Sequence, residues 1–160
     1  MKSKLILHPY FFVLYGVLAL IVNNITQISI SSLRILLFST IACTVILLFF
    51  YLILKDTVKA SLISSVATIL IFTYAHVKSI ILANVSGDPA VFILLLTVGW
   101  WLLFFIWLYV VQKVLKTFDT ISSYFTVVSI ILLVFPLYSL LGFYFQSIGK
   151  EEKVQEFLQD

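Results

Sequence analysis

Charge is what this 160-residue chain has least of: 11% of its residues are Asp, Glu, Lys or Arg, where a soluble domain carries roughly a quarter. It has seven acidic residues, two histidines and one cysteine. The cysteine, Cys43, lies in an apolar run and has no partner for an internal disulfide, so cysteine usage leaves the redox compartment open. The sequence has no HExxH for zinc, no GxSxG elbow and no aspartate pair within an apolar run. These absences argue against intrinsic catalysis, and no cofactor or metal is expected.

What the chain does have is grease. Hydrophobic residues make up 62% and mean hydropathy is +1.18, too little polar surface to cover a globule in water. The formal charge is +3 and the pI near 9.0. The lysines, however, sit in pairs between apolar runs, which is the pattern of membrane topology and not of a nucleic-acid partner. Lipid admits helices or closed barrels, and a barrel needs alternating apolar and polar residues. Here the runs are continuous, so the reading is an all-α integral membrane protein.

Crossing about 30 Å of hydrocarbon takes roughly 20 apolar residues. Cutting at charges and turn residues gives a bundle of five transmembrane helices over 9–27, 35–54, 60–77, 90–111 and 120–146, with a soluble tail over 149–160. Pro9 suits a first helical turn, Gly87-Asp88-Pro89 forms a turn, and Pro136 should kink the fifth span. No internal repeat supports an inverted-repeat transporter. Lys2 and Lys4, Lys55 and Lys59, and Lys113 and Lys116 form pairs on one side, while Arg34 and Lys78 stand singly on the other. That bias places the N-terminus in the cytoplasm and the C-terminus outside. No cleavable signal peptide is expected, since the first apolar run continues past any small-residue cleavage site.

The polar residues within or beside the spans supply the candidate contacts. Asn23 and Asn24 either offer amides to a lipid head group or partner helix, or end the first helix ahead of a loop of Thr26, Gln27, Ser29, Ser31 and Ser32. His76, near the outer end of the third span, is a candidate hydrogen-bond donor to an anionic group there. Lys55 and Lys59 suit head-group phosphates, and Asp56 is placed to pair with Lys59 or to meet the positive end of the third helix. His8 and His76 fall on opposite faces, which excludes a shared metal site. Asp88 lies across the membrane from Asp56 and Asp119, which excludes a carboxylate dyad. Ser61, Ser64, Ser65 and Thr68 allow close helix approach, so the third helix is expected at the bundle centre, with Trp100 and Trp101 packed against such small residues. Trp107 and Tyr109 suit an aromatic belt at the inner interface.

The run Lys55-Asp56-Thr57-Val58-Lys59-Ala60-Ser61-Leu62-Ile63-Ser64-Ser65, then Ile71-Phe72-Thr73-Tyr74-Ala75-His76-Val77, resembles the N-terminal membrane region of bacterial sulfatase-like proteins of the alkaline phosphatase superfamily. His8-Pro9-Tyr10, Asn23-Asn24 and Phe135-Pro136-Leu137 fit the same likeness. The resemblance implies a multi-pass protein of the bacterial cytoplasmic (plasma) membrane, with helices preceding an extracytoplasmic catalytic domain. Nothing after Asp160 corresponds to that domain, so no nucleophile or metal ligand carries over. The implied role is a non-catalytic module, in contact with membrane lipids, that anchors or assists an extracytoplasmic sulfatase- or phosphotransferase-like activity on cell-envelope lipids or glycans. The alternatives are a small oligomeric transport or channel component, whose path the Ser/Thr face of the third helix would line, and a structural subunit bound to other membrane subunits.

Overall fold

The computed structural model describes residues 6–24, 30–84 and 88–157. They form α1 (His8–Asn23), α2 (Ile30–Leu54), α3 (Thr57–Asn84), α4 (Pro89–Tyr109) with a π-helical turn at Val110–Val114, and α5 (Phe118–Phe157). There is no strand among the described residues. Four helices, α2 to α5, are long and apolar enough to cross a membrane. α1 has 16 residues and, at 1.5 Å per residue, a length of about 24 Å.

The bundle is inside out relative to a soluble protein. Its surface carries Phe38, Leu94, Tyr138 and Phe145, each more than 60% exposed, and α4 buries no residue at all. An apolar surface this continuous is matched to lipid, because a soluble monomer rarely exposes more than a few hundred Å² in one patch. The interior combines apolar clusters around Val13 and Val17 and around Leu62 and Ile63 with small polar residues: Ser61, Ser64, Ser65, Thr68 and Ser129 are buried. This is a multi-pass, all-helical membrane fold.

α3 touches every other helix, while α1 packs against α2, α3 and α5. Contacts between His8 of α1, Ser61 and Ser65 of α3, and Ser122 of α5 bring the beginnings of these three helices to one end. The chain therefore passes up and down the bundle five times. Lys55, Lys59, Lys113 and Lys116 gather at this same end; Asn24, His76 and Asp88 lie at the other.

Local chemistry explains the helix starts. Pro9 occupies the first turn of α1. Asp56 Oδ1 accepts from Val58 N at 3.0 Å and Lys59 N at 3.1 Å, which caps α3. Asp88 Oδ1 accepts from Ala90 N at 2.9 Å ahead of Pro89 in α4. Lys55 takes a left-handed conformation (φ 52) and turns the chain between α2 and α3 within two residues.

Several boundaries differ from the sequence reading. α1 stops at Asn23; the expected continuation to Gln27 lies outside the described residues, as do Lys2, Lys4, Thr26 and Ser29. α2 already begins at Ile30, so Ser31 and Ser32 are helical. α3 runs to Asn84, seven residues past the expected end at Val77. The expected soluble tail is helical to Phe157, continuous with α5 through Pro136 and Gly149. The extension of α3 beyond Lys78 is still largely apolar (Ile80, Ile81, Leu82, Ala83), so a single charge did not end that run, whereas α5 continues past its apolar segment into a polar one.

Candidate functional site

Two arrangements of polar and apolar side chains stand out. The first is centred on His8, which is fully buried. Its Nδ1 lies 2.6 Å from Ser65 Oγ and its Nε2 3.1 Å from Ser122 Oγ. Ser61 Oγ approaches Nε2 at 3.4 Å while donating its own proton to Val58 O at 2.7 Å. One tautomer satisfies the set: Ser65 donates to Nδ1, and Nε2–H donates toward Ser122 and Ser61. The Phe125 ring meets the imidazole edge-on at 5.7 Å, and Phe125 in turn stacks on Trp107 at 5.8 Å. Trp107 Nε1 donates to Leu62 O at 3.1 Å.

A serine hydroxyl so close to an imidazole is within the reach of a nucleophile and its base. Here both groups are sealed: His8 and Ser65 have no exposure, and Asp56 and Asp119 belong to the helix starts. What the arrangement does is tie α1, α3 and α5 together at one level. Among the described residues every buried side-chain polar atom has a partner, and no group of His, Cys, Asp and Glu is placed to hold a metal.

The second arrangement is an apolar groove of about 420 Å³ between α1, α3 and α5. Phe12 and Gly16 line it from α1, Ile69 and Phe72 from α3, and Val128 and Leu132 from α5. Thr73, Tyr124 and Val128 on its open side are exposed. A Cβ on Gly16 would stand 2.7 Å from the Phe72 ring, so the glycine is what lets α1 approach α3 here.

The sequence-predicted candidates divide between the two ends of the bundle. Asn23 is exposed at the last position of α1. Asn24 caps that helix, its Nδ2 donating to Leu20 O at 2.9 Å. His76 is exposed on α3, two turns short of its end. At the opposite end Lys55 is exposed in its turn, and the Lys59 ammonium lies 4.8 Å over the Phe118 ring. Of the two placements read for Asp56, the start of α3 is the one observed, and the Lys59 ammonium meets the Phe118 ring instead of the carboxylate.

Other expectations also change. Trp100 packs inward as expected, donating from Nε1 to Leu70 O at 2.8 Å and meeting Tyr74 edge-on. Trp101 is 58% exposed and faces outward, because adjacent helical positions point about 100° apart. Trp107, expected in an interfacial belt, is bonded into the bundle.

The residue that sequence reasoning missed as a site is His8. Its signal was the four-residue Ser61–Ser65 spacing, which puts two hydroxyls on one face, but nothing local tied that face to position 8. Comparison with protein-family models, with curated proteins and with solved structures gives no match.

Proposed function

We propose that this chain is a non-catalytic module of a cytoplasmic membrane that anchors or assists an extracytoplasmic sulfatase- or phosphotransferase-like activity on cell-envelope lipids or glycans. The residue likeness around Lys55–Ser65 and Ile71–Val77 suggests the type of activity served. The observation that carries the reading against transport is the state of the α3 hydroxyls. Ser61, Ser64, Ser65 and Thr68 are the face a conducting path would need, and all four are buried. Ser61 and Ser64 donate to backbone carbonyls at 2.7 and 2.8 Å, Thr68 turns to Cys43 Sγ, and Ser65 is engaged by His8. The polar stripe is spent on bonds within α3 and on contacts to α1 and α2.

With the N-terminus cytoplasmic, the four lysines of the described end meet the inner leaflet, and Asn23, Asn24 and His76 meet the outer one. The groove and its exposed polar neighbours then face the leaflet from which an extracytoplasmic enzyme would draw a lipid substrate.

Reconstitution tests the reading. Purified chain in proteoliposomes is expected to pass no more ions or small solutes than lipid alone. Deleting it from the source cell is expected to lower sulfate- or phosphate-ester transfer at the outer face of isolated membranes. Flux above the lipid background, or unchanged transfer after deletion, overturns it.

A further inference from the structure

Helical register connects the apolar groove to two of the polar residues singled out in the sequence, Asn23 and His76. On α3, His76 follows Ile69 by seven residues, Phe72 by four and Thr73 by three, so all four share one face. On α1, Asn23 follows Gly16 by seven residues and Phe12 by eleven, again along one face. Gly16 and Phe72 are level, as their close approach shows. His76 therefore stands about 6 Å beyond the groove lining and Asn23 about 10 Å beyond it, both toward the end opposite the lysines. Both are exposed.

The groove itself is almost wholly apolar and opens sideways between Thr73 of α3 and Tyr124 and Val128 of α5. From Tyr124 to Leu132 it runs about 12 Å along α5, close to the roughly 15 Å of a single leaflet, half of the hydrocarbon core. Its volume falls in the range of small-ligand sites. Below it the stacked pair Trp107 and Phe125 closes the way toward the lysine end. An occupant thus enters through the lateral opening, with an apolar body inside and a polar head toward the Asn23 and His76 end.

We propose that this groove holds one acyl chain of a phospholipid from the leaflet at the Asn23 and His76 end, with His76 and Asn23 hydrogen-bonding the phosphate and ester oxygens of its head group. The inference rests on the membrane fold and not on any enzymatic partner, so it stands or falls separately from the anchoring role. An apolar trough one leaflet long with two hydrogen-bonding side chains beyond one end is complementary to an amphiphile of that shape. The almost wholly apolar lining matches a hydrocarbon chain and offers a soluble polar solute no hydrogen-bonding partners inside.

The probe is phosphatidylglycerol carrying a mid-chain diazirine, mixed at low fraction into phosphatidylcholine vesicles that contain the full chain. Photoadducts are expected to concentrate on Thr73, Tyr124 and Val128 over the lipid-facing Leu94 of α4 by at least fivefold. Thr73→Trp or Val128→Trp, which plug the opening from two different helices, should each lower groove adducts by about fivefold while leaving those at Leu94 unchanged. His76→Leu should lower them by about threefold with the helical circular dichroism retained. Groove adducts no more frequent than those at Leu94, or groove labelling that persists in whichever plugged variant folds, would refute the proposal while leaving the membrane fold in place.

Discussion

His8 shows how a single buried imidazole organises a membrane bundle. In lipid the hydrophobic effect does not drive helices together, so packing and interhelical hydrogen bonds do the work. His8 spends both ring nitrogens on hydroxyls from two other helices. His8→Ala should therefore destabilise the fold by about 2 kcal/mol, because Ser65 and Ser122 lose their partner inside the bundle. Ser65→Ala alone should cost about 0.6 kcal/mol, the average for such bonds in membranes, and the double variant should cost less than the sum. Unfolding in mixed micelles titrated with a denaturing detergent reads these differences; strict additivity would mean that the two side chains do not interact. None of this was visible in the sequence, since the partners lie 53, 57 and 114 positions away. Asn23, Asn24 and His76 were visible, because a polar residue in so apolar a chain announces itself.

Among the elements, the spans were the most legible and their ends the least. Continuous apolar runs located all five helices, of which four are long and apolar enough to cross a membrane and α1 is shorter. The signals at Pro9, Asp56, Asp88 and Pro89 act within the next one to three residues and lie at the observed helix starts, α3 beginning at Thr57, three residues before the expected span. The C-terminal extensions of α3 and α5 had no such local mark. α5, at 40 residues, is about 60 Å long, roughly twice the hydrocarbon thickness. Asp56 offers a test at this scale. Asp56→Ala removes the acceptor for two backbone N–H groups and should cost about 1 kcal/mol, while Asp56→Ser or Asp56→Asn should recover most of it. The same micelle titration checks this, and an unaltered midpoint for Asp56→Ala would show that the cap contributes nothing.

The whole molecule is a bundle with chemically different ends. One end gathers Lys55, Lys59, Lys113 and Lys116 around the starts of α3 and α5; the other carries Asn23, Asn24 and His76, with the groove between the two ends. Helix direction, read from residue contacts, and charge, read from the sequence, agree that successive connections alternate between these ends. A cytoplasmic leaflet rich in anionic lipid favours a lysine end by about 1 kcal/mol per residue near its surface, and the orientation we propose on that ground puts the Asn23 and His76 end in the opposite leaflet. The most direct measurement is a set of fusions to a phosphatase that is active only outside the cytoplasmic membrane, joined after Asp56, Asp88, Lys116 and Asp160. The account predicts activity after Asp88 and Asp160 and silence after Asp56 and Lys116; activity after Asp56 or Lys116, or silence after Asp160, would contradict it.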